Sequence, residues 1–157
     1  MEITFKDLQK KVRLNSPQIL TVTKAILRHE NVRQATLSIV FVSHQKIRAF
    51  NKKFLKRDHV TDVLAFDLND NMLSKRTPKT LTGDIIISTD AALKNVNAFQ
   101  TTLSCELVLY ITHGILHLLG YDDHKSADVV KMRLKEQAIL SHLGKKIDKI
   151  ARLKRIS

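Results

Sequence analysis

The stretch HGILHLLGYDDH, which begins at His113, combines three histidines with two aspartates. His113 and His117 are four residues apart, so on a helix they lie on one face, one turn apart. Two imidazoles in this arrangement can bind the same Zn²⁺ ion. Gly120 allows the chain to leave the helix, and the turn that follows can bring Asp123 or His124 back to that ion. With three protein ligands, a fourth position is open to water, which is typical of a catalytic zinc site.

A single histidine on an apolar helix is more often a core residue than a metal ligand. Two histidines at this spacing, followed by a glycine and a third candidate ligand, resemble the spacing of the HExxHxxGxxH zinc sites and favour metal binding. In HExxH peptidases a glutamate follows the first histidine and acts as the general base, whereas this chain has Gly114 there. A bound metal can lower the pKa of water without that carboxylate.

Two further polar residues share the helix face of His113. Glu106 and Tyr110 precede it by seven and three residues, and either could lie beside a ligand. For Glu106 we favour the alternative of a partly buried carboxylate paired with a surface lysine.

The charge of the chain points to a polyanionic partner. Lysine and arginine number 27 against 15 acidic residues, a net charge of +12. Each phosphate that such a surface neutralises releases counterions, so nucleic acid is a natural partner. Together with Gly114, this charge moves the prediction from peptide hydrolysis to phosphodiester hydrolysis, in which the metal and cationic side chains meet the negative charge on phosphate oxygens.

The composition predicts one globular domain spanning residues 1–157, because 43% of the residues are apolar and 27% are charged. Cys105 is the only cysteine, so neither an intrachain disulfide nor a thiolate metal cluster can form, which suits the reducing cytoplasm. The first residues contain no long apolar run and predict neither a signal peptide nor a membrane span.

The elements that must position these residues alternate between strands and helices, which predicts an α+β fold. Ser16 and Pro17 are typical of a helix start, as N-cap and first helical residue. We expect Thr89 or Asp90 to cap a later helix. The predicted strands cover residues 1–5, 35–43, 60–68 and 83–88; the predicted helices cover residues 16–30, 91–99, 102–119 and 126–143, with a further helix beginning after Ser43.

Two polar segments are harder to assign. Residues 69–83, which carry Lys75, Arg76 and Lys79, are predicted to form a surface loop or hairpin. Residues 145–157 form a basic tail with six lysines and arginines against one aspartate. This tail could form a short amphipathic helix, but we favour a frayed end.

These residues resemble those of the YbeY family of bacterial rRNA-maturation endoribonucleases. The family pattern HGxLHLxGYDH is similar to residues 113–122, and the motifs TDVLAF and GDI are similar to residues 61–66 and 83–85. Asn51 and Phe54 also match the family, and the resemblance extends from about residue 37 to residue 140.

The resemblance implies a metal-dependent hydrolase that cleaves single-stranded RNA. It implies roles in maturation of the 3′ end of small-subunit rRNA and in ribosome quality control, with RNA and the ribosome as partners and one Zn²⁺ ion as cofactor. The implied fold is α+β, with a small mixed sheet and about half a dozen helices.

The chain departs from the family pattern at the third ligand. The family places its third histidine six residues after the second, where this chain has Asp123, and His124 follows one residue later. Both side chains are acceptable to Zn²⁺. We favour His124, because a surface turn accommodates one extra residue at little cost.

A second departure concerns a basic residue before the TDVLAF motif. The family has an arginine at the position of Leu55, and Arg57 is the best nearby substitute as a catalytic residue, with a solvated basic loop as the alternative. His59 is a weaker candidate for proton transfer. Asp62 and Asp84 match family positions, but both are predicted near strand ends, where they could hydrogen-bond turn amides.

Two other functions fit parts of the pattern. A zinc metallopeptidase is compatible with the histidine spacing, but Gly114 and the basic charge argue against it. A non-enzymatic ribosome-assembly factor, with a structural metal and a surface that docks rRNA, is compatible with all of these features.

Overall fold

A computed structural model of the protein describes residues 1–56, 61–69 and 79–154. It confirms the α+β class, with five α-helices in these ranges rather than about half a dozen. The helices are α1 (Ser16–His29), α2 (His44–Leu55), α3 (Thr89–Phe99), α4 (Leu103–Leu118) and α5 (Ser126–Leu143); the strands are β1 (Glu2–Leu8), β2 (Val12–Leu14), β3 (Val32–Val42), β4 (Val63–Asp67), β5 (Lys79–Ser88) and β6 (Ala151–Leu153). A 3-10 turn covers Gly144–Ile147.

The main sheet is mixed and has the strand order β1-β3-β5-β4. Strands β1, β3 and β5 are parallel, and β4 runs antiparallel to β5. Parallel neighbours need a crossover connection, which α1 provides between β1 and β3. A second sheet consists only of β2 and β6, which pair in antiparallel orientation.

The sheet separates two apolar clusters because successive side chains of a strand point to opposite faces. On β5, Ile85 and Ile87 belong to the large cluster that includes Leu107 and Ile111 of α4. Ile86, between them, belongs to a small cluster with Ile47 of α2. Helix α4 therefore packs on the face that carries the main core. Among the helices described, none is long and apolar enough to cross a membrane.

Two helix starts differ by one residue from prediction. Asn15, not Ser16, caps α1 by accepting a hydrogen bond from the Gln18 backbone, with Pro17 in the first turn as expected. Ser88 caps α3, with its hydroxyl accepting from the Ala91 backbone at 3.1 Å.

Asp90, one of the two residues expected to cap α3, instead joins three elements. It accepts hydrogen bonds from the Lys11 ammonium and the His44 backbone, each at 2.8 Å. Burial raises the pKa of Asp90, but these hydrogen bonds outweigh burial and lower the pKa to about 2.

The two segments that were hard to assign also differ from expectation. Strand β5 begins at Lys79, four residues before the predicted start, while Lys75 and Arg76 lie outside the described residues. The expectation of a frayed tail is wrong for residues 145–154. Ile147 and Ile150 are buried, and β6 pairs with β2, so these apolar side chains hold the segment against the core.

Candidate metal centre

Helix α4 places the two histidines by packing against the sheet. A Cβ added at Gly114 would lie 2.8 Å from Cγ2 of Ile85 on β5. A β-carbon at this position would therefore force the Ile85 side chain to shift. This close packing explains why a glycine is favoured at position 114, where the HExxH motif has a glutamate.

The end of α4 is formed at Gly120, as the sequence predicts. Gly120 has a φ of 98°, and its N–H donates to the His117 carbonyl at 3.0 Å. The N–H of Tyr121 donates to the Leu116 carbonyl at 3.0 Å. This pair of hydrogen bonds is the Schellman motif, which reverses the chain at a helix C-terminus.

The reversal brings Asp123 back to the two histidines. The Nε2 atoms of His113 and His117 are 2.9 Å apart, and each lies 3.5 Å from Oδ2 of Asp123. Ligand atoms about 2.1 Å from a tetrahedral ion are separated by about 3.4 Å. The two distances to Asp123 match this separation, whereas the two Nε2 atoms, at 2.9 Å, are at hydrogen-bond distance and would have to move apart by about 0.5 Å around an ion. The chemistry also fits, because two imidazoles and a carboxylate are common ligands of Zn²⁺. The three side chains could therefore hold a metal ion.

His124 lies outside this group. Its side chain is 74% exposed, and its Nε2 atom is 3.4 Å from Oδ1 of Asp122. Asp122, Asp123 and His124 are close enough to form a second set of possible ligands, but Asp122 and His124 are exposed. The structure thus brings Asp123, and not His124, to the helical pair.

A buried carboxylate on α5 contacts His113 from the other side. Oε1 of Glu136 lies 3.3 Å from Nδ1 of His113, and the residue is 9% exposed. If Nδ1 donates its proton to Glu136, the lone pair of Nε2 points toward His117 and Asp123. Sequence reasoning missed this residue. A signal was present, because Glu136 interrupts the buried stripe of α5 formed by Met132, Ile139 and Leu143.

The three possible ligands line a cavity of about 450 Å³. Tyr110, Asp62 and Arg133 also line it. Burial, and next the negative charge of Asp62, raise the pKa of Tyr110 above its usual range, so the phenol remains protonated at neutral pH. Asn95 donates a hydrogen bond to the phenol oxygen at 2.6 Å. The cavity therefore has a neutral phenol on one wall and a cation, Arg133, on another.

Two acidic residues occupy positions other than those expected. Glu106 is buried and accepts a hydrogen bond from the Thr101 hydroxyl at 2.6 Å. Within the part of the chain that the structure describes, no lysine pairs with it. Asp84 lies inside β5, between Gly83 and Ile85, rather than at a strand end. Asp62 does lie near a strand end, and its carbonyl accepts from the Ser88 backbone at 2.9 Å.

The predicted catalytic Arg57, and His59, lie outside the described residues. Leu55 is the last residue of α2 and is 43% exposed. Phe54 beside it is 54% exposed and stacks on Phe50, with ring centroids 5.8 Å apart.

The fold and the site define an α+β protein whose candidate metal centre lies on a helix and the turn that follows it. A family model described as "Endoribonuclease YbeY" matches residues 3–144. The chain belongs to this family, as its resemblance to the motifs indicates.

Relatives that carry the family's name support this assignment. The chain is 33% identical over 141 residues to the Endoribonuclease YbeY of Syntrophus aciditrophicus (strain SB), with 88% of each chain covered. It is 32% identical over 145 residues to that of Carboxydothermus hydrogenoformans, covering 91% of this chain and 96% of the relative. A solution structure of a Thermotoga maritima protein shares the fold, with a TM-score of 0.56 and 21% identity over 88% of this chain and 90% of that chain.

Proposed function

We propose that this protein is a metal-dependent endoribonuclease that cleaves single-stranded RNA. Its relatives are named endoribonucleases, which supports RNA as the substrate. The observation that carries the proposal is the group of His113, His117 and Asp123, whose ligand atoms converge at the wall of an open cavity. The net charge of +12 favours a polyanionic substrate.

In this proposal His113, His117 and Asp123 bind one Zn²⁺ ion. The distances among their ligand atoms favour Asp123 as the third ligand, whereas His124 would reach the same ion only after a rearrangement of the turn. When bound, the ion supplies Lewis acidity toward a phosphate oxygen. The carboxylate in the set reduces that acidity relative to three neutral imidazoles.

The residues around the ligands have separate roles. Glu136 holds the ring of His113 in the orientation that directs Nε2 into the group. Arg133 provides a positive charge at the cavity wall, where it can pair with a phosphate. Tyr110, protonated and held by Asn95, contributes a neutral phenol to the cavity wall. Arg57 remains a proposed second cation for the scissile phosphate.

For the cellular role we propose rRNA processing, at the 3′ end of the small-subunit rRNA, and ribosome quality control in the cytoplasm. The single cysteine and the basic charge are consistent with that setting. We also propose that residues 1–157 act as one functional domain. Gly114 disfavours the peptidase alternative, because the chain has no carboxylate at the position of the HExxH general base.

The test is cleavage of a single-stranded RNA by His113→Ala, compared with His142→Ala as a control that removes an exposed histidine from α5. We expect cleavage to be abolished in the first variant and unchanged in the second, with both retaining the native circular dichroism spectrum. Full cleavage by His113→Ala would contradict the proposal. If the metal-loaded wild-type protein binds RNA without cleaving it, while ligand variants lose stability, the assembly-factor function would replace it.

A further inference from the structure

A second basic surface lies on the small sheet, outside the candidate metal centre. We define the basic ribbon as residues 11–14 and 149–154, which contain β2 and β6. Four of its cations are exposed: Arg13, Lys149, Arg152 and Lys154. Its fifth, Lys11, is paired with Asp90 at 2.8 Å.

The register of the ribbon places two positive charges face to face. Arg13 is directly opposite Arg152 in the antiparallel pair. Like charges directly opposite each other on paired strands are destabilising. Within the described residues, no ion pair is recorded for either arginine. The ribbon therefore keeps an unfavourable charge pair that an external anion would relieve.

The backbone that carries these cations is fixed by contacts on several sides. Ile150 is fully buried, and its carbonyl accepts from the Asn15 backbone at 2.8 Å. The Ser104 hydroxyl of α4 donates to the Ala151 carbonyl at 3.3 Å and accepts from the Ala151 N–H at 3.1 Å. The side chain of Gln9 binds both the N–H and the carbonyl of Val12, at 2.9 and 2.7 Å. The cations are thus presented on an ordered surface rather than on a loose tail.

The surface is concave as well as basic. Arg13 and Arg152 line two neighbouring depressions of about 790 and 760 Å³. Lys149 lines the first and Lys154 the second. The carboxylate that shares the lining is Asp7, which already accepts a hydrogen bond from the Gln9 side chain at 2.8 Å. Cations therefore outnumber carboxylates here by four to one, which suits a chain of phosphates.

The ribbon is remote from the candidate metal centre. It contacts α4 at Ser104, and His113 lies nine residues further along, which is about 13 Å along the axis and half a turn around it. The two features therefore lie on opposite sides of α4. The match to the family model ends at residue 144, so β6 lies beyond the matched stretch.

We propose that the basic ribbon binds the phosphate backbone of RNA and holds the substrate at a second point, away from the metal centre. The identity of the polyanion rests on the proposed function. Binding there is independent of base sequence and is driven by charge pairing with Arg13 and Arg152 and by release of counterions. It contributes to affinity for long RNA and leaves the chemical step unchanged.

The first experiment titrates a long, labelled single-stranded RNA with full-length protein at several salt concentrations. RNA integrity is checked on a gel after each titration. We expect Arg13→Gln/Arg152→Gln to weaken binding at least about tenfold at low salt and to reduce the salt slope by about 1.4, because each phosphate contact on a single strand contributes about 0.7. The control, Arg28→Gln/Arg33→Gln, removes the same charge from exposed positions at the end of α1 and the start of β3 and should bind as the wild type does.

The second experiment uses Arg152→Glu, which replaces the like-charge pair with an opposite-charge pair. We expect equal or higher thermal stability together with weaker RNA binding, a combination that a purely structural role would not produce. Unchanged RNA affinity in both ribbon variants would overturn the proposal. Binding to vesicles of anionic phospholipid is measured for the same variants. If they lose binding to the vesicles but not to RNA, the ribbon binds lipid and the proposal is overturned.

Binding is measured separately from cleavage, so the two proposals can fail separately. If the wild-type protein does not cleave RNA but the ribbon variants bind RNA more weakly than it does, only the endoribonuclease proposal is contradicted. Normal cleavage by variants whose affinity for RNA equals that of the wild type would contradict the ribbon alone.

Discussion

Helix α4 and the turn that follows it position the possible metal ligands by different interactions. His113 and His117 project from a helix that is largely buried and that contacts β5 at Gly114. Asp123 projects from an exposed turn, whose path depends on the Schellman hydrogen bonds and on the positive φ of Gly120. Packing therefore determines two ligands, and backbone conformation determines the third. A change in the turn should alter ligand identity, whereas a change in the helix should alter the stability of the whole protein.

The largest effect is expected from a matched pair of substitutions in the turn. Asp123→Asn should lower the affinity for Zn²⁺ by more than about 100-fold, since even the loss of a residue that only supports a ligand costs 10- to 100-fold. His124→Asn should leave the affinity unchanged, because His124 faces Asp122 and solvent. Competition with a chelator measures both values. Equal losses in the two variants would show that the turn rearranges around the ion.

A smaller effect is expected from Glu136→Gln on α5. The amide retains the shape of the side chain but removes the negative charge beside Nδ1 of His113. Zinc affinity should fall by about 10- to 100-fold, with the circular dichroism spectrum unchanged. Asp128→Asn, which removes a carboxylate from the first turn of the same helix, is the control. An unchanged affinity for Glu136→Gln would mean that packing alone orients His113.

The smallest effects are expected when Gly114 or Gly120 is replaced by alanine, and the two replacements should act through different causes. Gly114→Ala should destabilise the protein by about 1–3 kcal/mol, because the new methyl group meets Ile85. Gly120→Ala has open space around it but a positive φ, so it should cost about 1 kcal/mol. Denaturant unfolding measures both. For the same loss of folding stability, we expect Gly120→Ala to lower the affinity for Zn²⁺ more than Gly114→Ala does. The reverse order would contradict the idea that the turn positions the third ligand while helix packing stabilises the protein.

Features that depend on a few neighbouring residues could be predicted from the sequence. The pairing of His113 with His117 follows from the helical repeat, and the helix end at Gly120 follows from the conformational freedom of glycine. Alternating and β-branched residues identified the strands of the main sheet, although β5 begins earlier than expected because its first residues pair with β3.

Features that depend on tertiary contacts could not be predicted. The choice between Asp123 and His124 depends on how the turn after Gly120 closes, and helical spacing does not determine that path. Glu136 meets His113 only because α5 packs beside α4, 23 residues later in the chain. Strands β2 and β6 have three residues each, and they form because Val12 and Ile150 are buried by contacts far apart in sequence.

The compactness of the ligand set along the chain affects how metal binding and folding are coupled. Residues 113–123 supply all three possible ligands, whereas the β1–β3 pairing joins residues as distant as Glu2 and Thr36. Little chain entropy is lost in bringing the ligands together once α4 and its turn have formed. We therefore expect a partly folded chain that has formed α4 and its turn to have the proposed ligands already together. A ligand stabilises a protein only to the extent that it binds the folded state more tightly than other states. The rise in melting temperature caused by Zn²⁺ should therefore be smaller than the rise calculated from its affinity for the folded protein alone.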